Sequence, residues 1–197
     1  MTTVTTTSRR QGRGGRERIL AAAAELFTAQ GINATGMEQI AERAPVSKRT
    51  LYAHFRAKDE LVLAHLKDLA SAGLTLEGAL GREEVSARER VLALFDPLPA
   101  GTDPVRGCPF IDAAVEFPDP RSAVHSYARE RKLLMVRLVA DLVTEMGCRR
   151  PAVLAEQLVT LADGAASRAM VLGEADYGRH ARTAAETLLD NALSATD

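Results

Sequence analysis

An all-α chain of about nine helices is what the sequence predicts, and three observations predict it. No stretch of the 197 residues alternates apolar and polar side chains as a half-buried strand does. Alanine and aliphatic residues dominate the apolar fraction while aromatics make up 4% and tryptophan is absent, a composition that favours helices over a β-sandwich. Several long stretches also carry apolar residues at helical spacing and end at glycine or proline. The length allows one large domain or two small ones, either with a real core.

Taken in order, residues 1–15 are Thr, Ser, Gly and Arg with almost nothing to bury, and the segment is expected to be disordered. Arg9, Arg10, Arg13 and Arg16 suit either an arm that follows phosphates or a solubilising tail, about equally. Arg16–Gln30 predicts a helix whose stripe is Ile19, Ala22, Ala23, Leu26 and Phe27, with Gly31 as its stop. Thr35 followed by Glu38 has capping-box spacing, and Met37, Ile40 and Ala41 supply the apolar face of a short second helix. Ala44-Pro45-Val46 breaks that helix, because a residue before proline is pushed out of the α region. Ser47 can cap a third helix in which Leu51 and Phe55 stand at i, i+4 on the buried side. Lys48, Arg49, Thr50, Tyr52 and His54 are left for the other faces. Cations and hydroxyls at the start of a short helix suit a DNA major groove, but a helical hairpin with a solvated basic face accounts for them equally well.

Lys58–Ala79 reads as one long helix through Leu61, Leu63, Leu66, Leu69 and Ala72, ended by Gly78 and Gly81. Ser86 and Glu89 form a second capping box and open a helix through Val91, Leu92, Leu94 and Phe95. Prolines 97, 99 and 104 enforce a loop, and Arg106–Pro120 predicts a short helix between proline-bounded turns. Pro120–Met146 is periodic through Val124, Tyr127, Leu134, Leu138 and Leu142, with Gly147 as its stop. Pro151 at a first helical position opens a helix to Gly173, and a last helix runs from about Tyr177 to Ala195.

The net charge of −1 hides an asymmetry: residues 1–58 carry +6 and residues 59–197 carry −7. A basic head on an acidic body places any polyanion site at the head. The two cysteines, Cys108 and Cys148, show neither disulfide nor zinc spacing, so reduced thiols are expected. The apolar run Ile19–Phe27 is short and interrupted by Glu25, which makes neither a signal peptide nor a membrane span, and a soluble cytoplasmic protein is expected.

The segments R-E-R-I-L-A-A-A-A-E-L-F-T-A-Q-G from Arg16 to Gly31, T-G-M-E-Q-I-A-E-R-A from Thr35 to Ala44 and V-S-K-R-T-L-Y-A-H-F-R-A-K-D-E-L from Val46 to Leu61 together resemble the DNA-binding domain of the TetR family of transcriptional repressors. The resemblance departs at Pro45, where the family usually has glycine in a turn of positive φ. It implies a helix-turn-helix DNA-binding domain over residues 16–60 and a ligand-binding and dimerisation domain over residues 61–197. The DNA-contacting set would be Thr35, Lys48, Arg49, Thr50, Tyr52, His54 and Lys58. Lys48 and Arg49 would lie near base edges, with Thr50, Tyr52 and Lys58 on phosphates; His54 suits a structural role or a phosphate contact. Arginine can fork onto guanine O6 and N7, whereas hydroxyls and lysine suit phosphate oxygens.

A helix-turn-helix reads few bases, so such proteins bind as two-fold dimers. The resemblance favours a four-helix interface from the last two helices, with Leu158, Leu161, Ala165, Ala169, Ala185, Leu188, Leu189 and Ala192 as candidates; ordinary intrachain packing is the alternative. A small apolar effector would sit between the long helices of the body, near Leu66, Leu69, Phe95, Phe110, Phe117, Tyr127, Met135 and Met170. The function implied is a ligand-responsive regulator, a repressor in kind, that binds a palindromic double-stranded operator and is released by the effector. Two other readings stay open. Arg106 near Cys108 could lower the thiol pKa and make an oxidation sensor. A helical enzyme or adaptor could also carry an incidental basic head, but no phosphate loop, metal-ligand spacing or nucleophile elbow is present, and His54, His65, His125 and His180 fall in separate helices. No cofactor, metal or catalytic residue is expected.

Overall fold

The computed structural model describes residues 8–73, 75–96, 107–174 and 178–194, and in these every regular element is a helix. The chain divides into two compact units after Asp68. The boundary expected at 60/61 falls earlier in the same helix.

The first unit holds α1 (Ser8–Gln30), α2 (Met37–Arg43), α3 (Lys48–His54) and most of α4 (Lys58–Ser71). Helix α1 takes in the Ser8–Gly15 part of the segment expected to be disordered, so it begins well before Arg16. Of its predicted stripe Ile19, Ala22, Ala23 and Phe27 are buried and Leu26 is half-buried; Ile40 and Ala41 of α2, Leu51 of α3 and Leu61 and Val62 of α4 are buried too. Burying a side chain of this kind stabilises by about 1.5–3 kcal/mol, which is how helices of only seven residues each, α2 and α3, are held. Gly31 ends α1 at φ +92° with its N–H on the Phe27 carbonyl at 3.0 Å.

The capping box read from Thr35 and Glu38 is displaced by one residue. Gly36 is the cap of α2, and its N–H donates to Gln39 Oε1 at 2.7 Å. Glycine has no side chain to return a bond, so only half of the box exists. The Thr35 hydroxyl turns back instead, donating to the Gly31 carbonyl at 2.7 Å and accepting from Gln30 Nε2 at 3.1 Å.

The second unit holds α5 (Leu76–Leu80), α6 (Ala87–Leu92) running into a 3-10 turn at Ala93–Phe95, α7 (Pro109–Glu116), α8 (Ala123–Glu145), α9 (Pro151–Leu172) and α10 (Gly178–Ser194). The helix expected over Lys58–Ala79 is two helices. Gly73, at φ +67°, ends the first, a stop that Gly78 and Gly81 were expected to provide. The break raises the count to ten α-helices among the described residues. Both bonds of the Ser86–Glu89 capping box are present, and Pro151 opens α9 as read. The core gathers Val91, Leu92 and Phe95 with Met135, Val139 and Leu142 of α8, Leu154, Leu158 and Ala162 of α9, and Ala185 and Leu189 of α10. Arg182 fastens α10 to the 3-10 turn through the Leu92 carbonyl at 3.2 Å and Asp96 at 2.7 Å.

Candidate nucleic-acid interface

Helix α3 owes its position to one buried residue and one cap. Leu51 is 0% exposed and pins the helix to the core of the first unit. Ser47 Oγ accepts from the Thr50 N–H at 3.1 Å and shares a second bond with the Thr50 hydroxyl at 2.8 Å. A serine cap of this kind stabilises a helix by about 1 kcal/mol. With Leu51 inward, Lys48, Arg49 and Tyr52 are turned outward, and Tyr52 is 47% exposed despite its size. An apolar ring, a hydroxyl and two cations thus share the outer face of a short helix.

These side chains differ in their commitments. Lys48 is paired with Glu38 of α2, and the carboxylate beside it pushes the ammonium pKa up. Arg49 is exposed and has no hydrogen bond or ion pair among the described residues. Lys58 at the start of α4 donates to the Asn33 carbonyl at 3.2 Å, which ties α4 to the loop before α2. Thr35 is placed otherwise than expected. Thr35 is 0% exposed with its hydroxyl engaged on α1, so its side chain cannot reach a phosphate. His54 faces α1, where Nε2 lies 3.3 Å from the point a Cβ on Gly15 would occupy. Of the two roles open to it, that geometry is the structural one.

The turn between α2 and α3 is held from α1. Arg18 Nε donates to the Ala44 carbonyl at 3.2 Å, and Arg43 pairs with Glu25 at 2.5 Å. Val46 N–H donates to the Ala41 carbonyl at 3.0 Å, the long bond of a Schellman ending. Pro45 stands at φ +24°, so the turn keeps the positive φ that glycine would tolerate.

Residues 19–65 match the family model for bacterial regulatory proteins of the tetR family. The crystal structure of a TetR-type transcriptional regulator from Streptomyces avermitilis superposes with a TM-score of 0.77 at 32% identity, over 90% of this chain and 97% of that one. The chain belongs to the TetR family of transcriptional regulators. A second TetR-family regulator, from Streptomyces coelicolor, superposes at a TM-score of 0.81 with 28% identity, over 92% of this chain and 97% of that one. The HTH-type transcriptional regulator YjdC of Escherichia coli is 28% identical over 159 residues, covering 79% of this chain and 83% of that protein. TetR membership makes the protein a DNA-binding regulator rather than an enzyme, with a helix-turn-helix domain in its first unit. No helix among the described residues is long and apolar enough to cross a membrane.

The TetR chain's second unit places the remaining candidates. Leu158, Ala185 and Leu189 are 0% exposed in the single chain and Ala169 is 6% exposed. The first three belong to the unit's own core; Leu161, Leu188 and Ala192 pack against it but stay half-buried, as is Ala165. Phe95 and Met135 are core residues too, whereas Met170 is 37% exposed. Phe110 stands edge-on to Tyr127 at 6.2 Å, and the half-buried Phe117 lends its carbonyl to His125 Nδ1 at 2.8 Å. Leu66 is buried in the first unit, while Leu69 is the first residue of the second. Sequence reading missed the pairing of Lys132 on α8 with Asp163 on α9. Nothing in the local pattern of either helix announces a partner on another helix.

Cys108, the residue an oxidation sensor would use, is half-buried. Burial pushes its thiol pKa up, Lys132 and backbone hydrogen bonds at Ile111 and Phe110 offset this in part, and Asp163 adds to the rise. Arg106, the residue expected to lower it, lies outside the described residues.

Proposed function

We propose that this TetR-family chain is a repressor that binds a palindromic operator as a homodimer and is released by a small apolar effector taken up in the second unit. The observation that carries the DNA half of this reading is the outer face of α3, where Arg49 stands exposed without a partner among the described residues, beside Lys48 and Tyr52. Arg49 and Lys48 read base edges, and Thr50, Tyr52 and Lys58 hold phosphates. Release follows if the effector prefers a conformation in which the two heads no longer match the half-site spacing. The dimer is made by the outer faces of α9 and α10, since their inner faces serve the unit's own core. In vitro selection of genomic fragments on the purified protein tests the reading: an enriched palindrome of two half-sites, bound by a dimer, supports it. Enrichment of unrelated or asymmetric fragments would count against it.

A further inference from the structure

Helix α1 meets α3 at Gly15, a point where α1 carries no side chain. Gly15 is buried there, and a Cβ on it would lie 3.3 Å from His54 Nε2 and 3.8 Å from the Thr50 methyl carbon. The next residue, Arg16, is exposed and holds its guanidinium carbon 5.5 Å from the centroid of the Phe55 ring, at the end of α3. A cation over an aromatic face is held by the ring quadrupole, and that attraction leaves its charge unneutralised. Other cations around the helix-turn-helix are committed: Arg18 donates to the Ala44 carbonyl, Arg43 pairs with Glu25, and Lys48 pairs with Glu38. Arg16 has no hydrogen bond or ion pair among the described residues.

From this placement we infer that Arg16 is a further DNA-binding residue, a phosphate contact that α1 adds at the flank of α3. Thr50, proposed above to hold a phosphate, lines the Gly15 contact, so the cation one residue along α1 stands beside the same run of backbone. A guanidinium offers five N–H donors in a rigid fork that matches phosphate oxygens. Phe55 holds that fork in place before DNA arrives, so little side-chain freedom is lost on binding. The contact carries no base information: it adds affinity for the operator and for random duplex alike. The inference rests on the DNA-binding face proposed above.

The test is Arg16→Gln and Arg16→Lys in the full-length protein, each titrated against the selected operator and a scrambled duplex across a salt series. Arg16→Gln should weaken both duplexes by the same factor, roughly threefold or more at low salt. Its salt slope should fall by about 0.9, the increment of one released counterion. Arg16→Lys keeps the charge and should keep the slope. Operators in which one phosphate at a time is an uncharged methylphosphonate then locate the contact. At one position of each half-site the replacement should weaken the wild type and leave Arg16→Gln unchanged. A wild-type salt slope in Arg16→Gln, or no methylphosphonate position whose effect depends on Arg16, would overturn the inference and leave Arg16 as a packing partner of Phe55. If the wild-type chain selects no duplex while its fold is intact, the DNA-binding face itself is wrong and the inference falls with it.

Discussion

Arg18 Nε on the first helix and the carbonyl oxygen of Ala44 lie 3.2 Å apart, a hydrogen bond that braces the residue immediately before Pro45. The brace matters because Pro45 stands at φ +24°, far from the value near −65° that ring closure imposes. Proline also lacks the N–H that a Schellman ending would donate to the second-last carbonyl of α2.

Pro45→Gly should therefore stabilise the protein. Glycine tolerates the positive φ of this turn and restores a donor, while it returns up to about 1 kcal/mol of chain entropy to the unfolded state. Thermal melting should show a midpoint raised by a few degrees. A lowered midpoint would mean that the turn fits proline without strain.

His65 of α4 is packed edge-on against Phe27 at 5.5 Å, and burial pushes its pKa below the ordinary histidine range, with Asp68 opposing in part. The unfolded chain binds a proton near pH ~6.5, whereas the folded chain resists it. Stability from this group is complete above that pH and is lost as pH falls toward the depressed folded value. Urea midpoints at neutral and mildly acidic pH should diverge more for the wild type than for His65→Leu, and equal acid sensitivity would remove His65 from the account.

Lys132 and Asp163 pair between α8 and α9 with side chains 22% and 25% exposed. Asp163→Ala strands a largely buried ammonium and should cost about 1–3 kcal/mol, less than the cost for a fully enclosed pair. Lys132→Met with Asp163→Leu should recover most of the loss in denaturant unfolding. If the double variant were as unstable as Asp163→Ala, the pair would have a geometric role beyond mutual charge compensation.

Burial raises the thiol pKa of both Cys108 and Cys148. In the folded protein at neutral pH both should react slowly with a thiol reagent, and peroxide should leave operator affinity unchanged. Rapid labelling of Cys108 with parallel loss of DNA binding would restore the oxidation-sensing reading.

Much of this was legible in the chain. The stripe of Ile19, Ala22, Ala23 and Phe27, the Ser86–Glu89 box and the Pro151 start each depend on residues within one or two turns, and each stands where it was read. The misreadings have a common cause in competition between neighbours. Thr35 could cap α2, but Gly31 and Gln30 offered its hydroxyl better partners, and Gly36 took the cap. Gly73, Gly78 and Gly81 could each stop a helix, and Gly73 is the one that adopts positive φ. Leu158, Ala185 and Leu189 were correctly apolar, but periodicity fixes which face is buried and not whether the chain itself or a second copy covers it. The Glu38–Lys48 pair needed the angle between two helices, which no local pattern encodes.

The central claim is that α3 reads bases through Arg49, and one comparison tests it most directly. Arg49→Ala and Lys58→Ala should each be titrated against the selected operator and a scrambled duplex. Arg49→Ala should lose operator affinity by about 1–3 kcal/mol, with far less change on scrambled DNA, and should relax preference at one position of each half-site. Lys58→Ala should weaken both duplexes alike and flatten the salt dependence. An equal loss on both duplexes for Arg49→Ala would contradict the claim, leaving Arg49 as a phosphate contact and the base-reading residues elsewhere.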